Sequence, residues 1–344
     1  MAEAQVRFVV IGAGRWGPNH VRNLHELRGA EVVGVADVDP LRLEAIQRQY
    51  PRTEVATDYR AFLARQDVDA VVVATPVSTH AQIVSDALDA GKDVLAEKPL
   101  ALTSQECRAT VERAKAAGRV LMIGHVFLFN AGIQKLREIL QYGELGTIYY
   151  FHVTRTNLGP VRQDTNVVGD LASHDIAILN FLLGAMPSQV SSTGMSYLQP
   201  GREDIAFVSL FYPQQVIANL HISWLDPLKV RRITVVGSKK MAIWDDLSPQ
   251  GPVAIYEKRV VREPVDASLP NYGDFQLLVR EGEINIPLVH QTEPLRTQAQ
   301  YFLQAVRQRS LRISDGAFGT NVVRVVEGIN ESIAQQGARV TIES

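Results

Sequence analysis

The chain has 344 residues, 46% of them hydrophobic and 21% charged, with a formal net charge of −2 at pH 7. That is the make-up of an ordinary globular protein and excludes a disordered or fibrous one. So even a charge balance gives no electrostatic reason to expect nucleic acid or an anionic membrane as partner, and no apolar run reaches the roughly eighteen residues of a membrane span.

The single cysteine, Cys107, excludes an internal disulfide and fits a reducing, cytoplasmic setting. The length exceeds the size at which one core keeps growing, so two domains are expected. The texture of the sequence puts them at 1–123 and 124–344. The N-terminus enters its first strand directly, with no basic region ahead of an apolar stretch, so no signal peptide is expected.

Val6–Ile11 is a β-branched, apolar run of the kind a parallel strand buried on both faces requires. Gly12-Ala13-Gly14-Arg15-Trp16-Gly17 follows and reads GxGxxG. A helical stretch comes next, with Val21, Leu24 and Leu27 on one face, then a second strand, Glu31–Ala36, closing on Asp37. In that setting Gly12 allows the tight turn, Gly14 lets the backbone approach a pyrophosphate, and Gly17 lets the helix pack on the sheet. The helix start offers free N–H groups to the phosphates. Asp37, twenty residues beyond Gly17, stands where a carboxylate accepts bonds from the adenosine ribose hydroxyls. Asp37 and Asp39 would repel a 2′-phosphate, and no Arg or Lys follows until Arg42, so NAD is expected over NADP.

Pro40–Gln49 and Tyr59–Arg65 read as helices, and Val68–Ala74 as a buried strand ending at Thr75-Pro76. Ser78 is the expected N-cap of a helix to Ala90, stopped by Gly91. Asp93–Ala96 is a strand ending at Glu97-Lys98-Pro99. Thr103 caps a helix to Ala117, Gly118 stops it, and Val120–Ile123 returns as a strand. Strands alternating with helices predict a doubly wound parallel sheet, an α/β domain. Ligands of such sheets lie beyond the carboxyl ends of the strands, where Gly12, Asp37, Thr75 and Lys98 all fall.

After Gly124 the pattern changes. Ile133–Tyr142 reads as a helix. Thr147–Thr156, Gln189–Leu198, Ile205–Tyr212, Val216–Trp224, Val230–Val236, Met241–Asp245 and Ala254–Val261 read as strands, with a hairpin turn at Pro213-Gln214-Gln215. Adjacent strands without intervening helices predict a largely antiparallel sheet and an α+β domain. One helix, Leu171–Leu183, interrupts them; Pro294–Gln308 and Asp315–Gln335 follow before a last strand, Val340–Ile342.

Several residues are candidates for chemistry. Pro99 pushes Lys98 towards extended geometry, so Lys98 is either a ligand-facing cation or a solvated lysine at a strand end. Asp170 and His174, four apart, share a helix face; that spacing fits an acid–base pair, but taken alone it favours an N-cap with a surface or core histidine paired to it. His80 either touches the ligand or caps its helix, His125 stands just past the last parallel strand, and His20 and His25 only decorate the first helix. Arg155, Asn157, Arg162 and Gln163 lie in a polar stretch before Asp170, either a solvated connection or the wall of a substrate pocket. There is no HExxH, CxxC or carboxylate cluster of metal spacing, so no metal is expected, and no GxSxG elbow.

GAGRWGPNH (12–20), VVVATPVSTH (71–80), DVLAEKPL (93–100) and the D-x-x-x-H of Asp170–His174 together resemble the glucose–fructose oxidoreductase/inositol dehydrogenase (Gfo/Idh/MocA) family over nearly the whole chain. The segments GHVFLFN, GELGTIYY, RTNLGPVRQD and GDLASHDIAIL look like a branch associated with sugar or nucleotide-sugar oxidation. Where the family more commonly carries a glycine-rich motif, Val167-Val168-Gly169 precede Asp170 and Ala172-Ser173 lie within it, which bears on the substrate rather than the reaction.

The resemblance implies a Rossmann domain followed by an open-faced sheet domain with flanking helices, packed into homodimers or homotetramers through the sheets. It implies a hydride transfer between a secondary hydroxyl of a sugar, polyol or nucleotide sugar and NAD. Lys98, Asp170 and His174 take the catalytic places: His174 removes the hydroxyl proton, Asp170 orients it or shares the proton path, and Lys98 stabilises charge on the oxygen. The cofactor set is then Gly12, Gly14, Arg15, Trp16, Gly17, Asp37, Thr75, Pro76, His80, Glu97 and Lys98, and the substrate set Lys98, Arg155, Asn157, Arg162, Asp170 and His174. The alternatives are a catalytically silent NAD-binding sensor or scaffold, and an enzyme of the same kind acting on an imine or a tetrapyrrole.

Overall fold

Six strands carry the first part of the chain: β1 (Val6–Ile11), β2 (Ala30–Ala36), β3 (Glu54–Ala56), β4 (Ala70–Val73), β5 (Asp93–Glu97) and β6 (Leu121–Gly124). Between them run α1 (Gly17–His25), α2 (Pro40–Gln49), α3 (Arg60–Leu63), α4 (His80–Asp89) and α5 (Ser104–Ala117). The strands are parallel and lie in the order β3-β2-β1-β4-β5-β6. The direction of winding reverses between β1 and β4, which opens a crevice beyond their carboxyl ends. Val9, Ile11, Val71, Val73, Val94, Ala96 and Ile123 fill the core, as the unbroken apolar runs require.

The computed structural model describes residues 5–264 and 275–343. They group into two units: 5–130 with 292–327, and 131–264 and 275–291 with 328–343.

Local chemistry sets the helix ends of the first unit. Asp39 accepts the Leu41 N–H at 3.0 Å ahead of Pro40. Thr103 and Glu106 form a reciprocal capping box, and Gly118 ends that helix at φ +61°. The helix expected from Ser78 starts instead at His80, behind a 3₁₀ turn, Val77–Thr79, in which the Thr79 hydroxyl donates to the Pro76 carbonyl.

The second unit begins with α6 (Ala131–Gln141), β7 (Ile148–Leu158) and α7 (Ser173–Leu183). Strands follow: β8 (Gln189–Met195), β9 (Ile205–Phe211), β10 (Ile217–Ser223), β11 (Leu225–Gly237), β12 (Met241–Asp245), β13 (Val253–Tyr256), β14 (Arg259–Pro264), β15 (Phe275–Arg280) and β16 (Ile284–Asn285). Last in chain order come α8 (Pro294–Gln308), which lies in the first unit, α9 (Gly316–Ala334), most of which does, and β17 (Val340–Thr341), which lies in the second. Nine strands form one sheet in the order β16-β13-β12-β11-β7-β10-β9-β8-β17, with β7 and β10 parallel and the other neighbours antiparallel. Period-two alternation holds: Ala206, Val208, Leu210, Ala218, Leu220 and Ile222 are buried, whereas Phe207 and Ile217 point to the opposite, exposed face.

Three further expectations change. The strand expected at Ala254–Val261 divides into β13 and β14, and β14 pairs with β15 in a separate two-stranded sheet. The helix expected from Leu171 begins at Ser173, behind a π-helical turn, Val168–Ala172. The grouping also differs from one cut after residue 123, because Thr292–Glu327 belongs with the first unit. There Phe302 packs its ring 6.0 Å from Phe8, the Ser314 hydroxyl donates to the Ile123 carbonyl at 2.7 Å, and Glu327 accepts the Ser104 N–H at 2.8 Å.

Candidate active site

The first unit builds a nucleotide cradle. Gly12 has φ +99°, and a Cβ there would lie 2.6 Å from the Ala74 carbonyl oxygen, so the turn out of β1 tolerates only glycine. A Cβ on Gly17 would strike the carbonyl of Gly12, so this glycine lets the loop close on itself rather than only letting a helix approach the sheet. Gly14, by contrast, faces open space apart from Arg42 Nη1, at 3.7 Å from the position of a Cβ. Asp37, at the end of β2, is buried; its carboxylate accepts the Ala13 N–H at 2.6 Å and the Asp39 N–H at 2.9 Å. Arg42 stands 3.6 Å from Asp37 and 3.3 Å from Asp39. Trp16 is exposed within the loop, with the Arg15 guanidinium 6.0 Å from its ring centre. A tight loop with bare backbone, opening beside an anchored carboxylate, fits a dinucleotide.

Beyond β5 lies the turn Glu97-Lys98-Pro99, with Thr75 and Pro76 beyond the neighbouring β4. His20, which the sequence leaves as decoration of α1, is buried, and its Nε2 lies 2.8 Å from Glu97 Oε1. His25 likewise has a partner, stacked on Tyr50 at 4.2 Å and bonded to Thr53. His80 neither caps α4 nor opens to a ligand: its Nδ1 lies 2.8 Å from the Pro99 carbonyl and its Nε2 2.8 Å from the Thr75 carbonyl, and the ring is buried. In the β5–β6 register Glu97 pairs with Gly124, which sets Lys98 and His125 side by side at the strand ends. His125 is buried, edge-on to the Phe318 ring at 5.7 Å, and neither ring nitrogen has a hydrogen-bond partner among the described residues. Burial first, and the Lys98 charge second, push its pKa down to about 3.

In the second unit Asp170 lies inside the π-helical turn, where the Ser173 N–H reaches back to the Val168 carbonyl. It is therefore not an N-cap. The Asn166 side chain accepts the Gly169 N–H at 3.0 Å, and the Ser173 hydroxyl donates to the Gly169 carbonyl at 2.8 Å. The Asp170 carboxylate accepts the Trp224 indole N–H at 3.1 Å on one oxygen and Arg162 at 3.3 Å on the other, and Arg162 also grips Asp164. His174, partly buried, follows in the first turn of α7. Arg155 is corrected as a pocket-wall residue. It is buried and donates two bonds to the buried Asp175 carboxylate, at 2.7 and 2.8 Å. Asn157 spends its amide on the Gly159 carbonyl, and Gln163 is exposed.

Residues 6–125 match the model of the oxidoreductase family with an NAD-binding Rossmann fold, and residues 133–243 the Gfo/Idh/MocA C-terminal domain. The chain belongs to the Gfo/Idh/MocA family. As a member it is an NAD-dependent oxidoreductase whose first domain binds the dinucleotide.

Among Gfo/Idh/MocA relatives, the scyllo-inositol 2-dehydrogenase (NAD(+)) of Bacillus subtilis is 32% identical over 58% of this chain and 60% of its own. The 2,7-anhydro-N-acetylneuraminate hydratase of Mediterraneibacter gnavus is 30% identical over 60% of this chain and 58% of its own. The chain thus spans about three fifths of each of these two relatives. The structure of UDP-N-acetylglucosamine 3-dehydrogenase from Acidithiobacillus ferrooxidans shares the fold, with a TM-score of 0.80 at 24% identity, covering 96% of this chain and 98% of its own.

Sequence reasoning missed Trp224, His20 and Asp175 as partners. Trp224 ends an apolar strand pattern and gives no sign of a polar role, while the other two find their partners across 77 and 20 residues. Among the described residues no group of three His, Cys, Asp or Glu side chains is placed to hold a metal, and no helix is long and apolar enough to cross a membrane.

Proposed function

We propose that the chain moves a hydride between a secondary hydroxyl of a sugar, polyol or nucleotide sugar and the nicotinamide, with Lys98, Asp170 and His174 as its catalytic residues. The observation that supports this most is the Asp170 carboxylate, held by Trp224 on one oxygen and by Arg162 on the other, one turn before His174. A carboxylate so fixed sets the direction of a neighbouring imidazole. Gly12, Gly14, Arg15, Trp16, Gly17, Asp37, Thr75, Pro76 and Glu97 hold the dinucleotide in this reading. Bound NAD supplies the hydride acceptor. His174 takes the hydroxyl proton as the carbonyl forms, Asp170 steadies the imidazole, and Lys98 donates to the reacting oxygen and stabilises its developing charge. Arg162, beside Asp170, is the substrate contact.

The test is the absorbance of reduced cofactor when the protein meets NAD with myo-inositol, scyllo-inositol, D-glucose or UDP-N-acetylglucosamine. A rise with any of them is expected. His174→Ala should lower turnover by about 10²–10⁴ with NAD affinity nearly unchanged; full turnover in that variant would remove His174 from the mechanism. A hydratase-type reaction, like that named for the Mediterraneibacter relative, leaves no net reduced cofactor, so the same assay separates it.

The first unit is assigned to dinucleotide binding and the second to substrate, catalysis and self-association. The support for self-association is the open face of the nine-stranded sheet. Tyr150, Ile217 and Phe211 line up across β7, β10 and β9, and His221 stacks on exposed Phe207 at 4.7 Å. A homodimer or homotetramer packed through this face is proposed, checked by light scattering. The cytoplasmic assignment is supported by the single cysteine, Cys107, which is buried, its thiol pushed up to about 12 by burial.

A further inference from the structure

The turn 97–99 carries the lysine to which the preceding reading gives the charge on the reacting oxygen. A lysine ammonium ends a flexible four-carbon stem, so its aim depends on how firmly its backbone is held. Glu97 closes β5, and beyond it the regular ladder stops. Two buried histidines from two different helices reach this turn. His20, on α1, meets the Glu97 carboxylate at 2.8 Å, where Glu97 is itself mostly buried. His80, on α4, meets the Pro99 carbonyl at 2.8 Å with one nitrogen and the Thr75 carbonyl at 2.8 Å with the other. Lys98 is thus bracketed, with one histidine on the residue before it and one on the residue after.

The two brackets differ in chemistry. His80 meets two neutral backbone carbonyl oxygens, one on each ring nitrogen. His80 also joins the carboxyl end of β4 to that of β5. His20 makes a charge-assisted bond to a carboxylate from the helix that opens directly after the glycine loop. Movement of that helix is therefore passed to the residue preceding Lys98.

We propose that His20 and His80 are positioning residues for Lys98, holding the Glu97-Lys98-Pro99 turn from both sides and tying its direction to the glycine loop and to the end of β4. The inference rests on Lys98 acting on the reacting oxygen.

The test uses the full-length protein with NAD and the four probes named above. His20→Phe removes the bond to Glu97 while keeping a ring in place, and should lower turnover by about ten- to a hundredfold, the scale of an ångström-sized misplacement. KM and NAD affinity should stay within about twofold, the latter also showing that the variant is folded. His20→Gln, which restores an N–H, should recover most of the loss.

The deciding comparison is made in a Lys98→Met chain. If His20 acts through Lys98, adding His20→Phe there changes the residual single-turnover rate by less than about twofold, because the coupled effect is already lost. Equal loss in both backgrounds, or wild-type turnover in His20→Phe, overturns the inference and leaves the role of Lys98 standing. Unchanged turnover in Lys98→Met alone overturns both.

Discussion

His125 makes the stability of the first unit depend on pH in a calculable way. The ring is buried and its pKa is pushed from 6.5 down to about 3, burial being the larger cause and Lys98 the smaller. The unfolded chain therefore takes up a proton that the folded chain refuses. The contribution of the neutral ring is complete above pH 6.5 and is lost as pH falls towards 3. At pH 4.5, two units below the unfolded value, this group alone costs about 3 kcal/mol relative to neutral pH, and below pH 3 the loss levels off at about 5 kcal/mol.

Carboxylates also change stability over this range, so the measurement is a difference. Urea unfolding of the wild type and of His125→Gln is followed at pH 7.5 and 4.5, and the wild type should lose about 3 kcal/mol more than the variant. Equal losses in the two proteins, or a His125 C2 proton that titrates near its ordinary value, would refute the reasoning. Lys98→Met should shrink the difference slightly, since it removes the smaller of the two causes that lower the His125 pKa and leaves burial in place.

Trp224→Phe removes the indole N–H from the Asp170 carboxylate; a hydrogen bond to a charged group is worth about 1.5–3 kcal/mol, so turnover should fall at least about tenfold, and because Trp224 is fully buried the melting temperature should fall as well. Unchanged turnover would sever Trp224 from the site. Arg155→Met leaves Asp175 buried without its bidentate partner and should cost about 3–5 kcal/mol in urea unfolding, most of it recovered by adding Asp175→Leu; a mild single variant would contradict the burial of the pair. NAD should bind ahead of NADP, and Asp37→Ser should narrow the gap in a fluorescence titration; a wild-type preference for NADP would overturn the assignment of Asp37.

What could be read in the sequence was what short-range chemistry decides. The glycine loop, Asp37 and the strand ends are fixed by spacings of a few residues and by unbroken apolar runs, and they lie where those patterns put them. The histidines were illegible, because His20, His80 and His125 each take their character from what surrounds them after folding. Arg155 looked like a polar loop residue until β7 carried it to Asp175 on α7. The grouping of α8 with the first unit was hidden for a related reason, since an amphipathic helix declares that it has an apolar face and not which core receives it.

The widened turn at Val168–Ala172 makes the aim of Asp170 a matter of residue count. Each residue of an α-helix advances about 100° around the axis, so deleting one residue here, such as Gly169, would let α7 run on in regular form and swing the carboxylate about a quarter turn from Trp224. Chains that keep every side chain of this motif but differ by a single residue in length would then present a different acid to the same histidine.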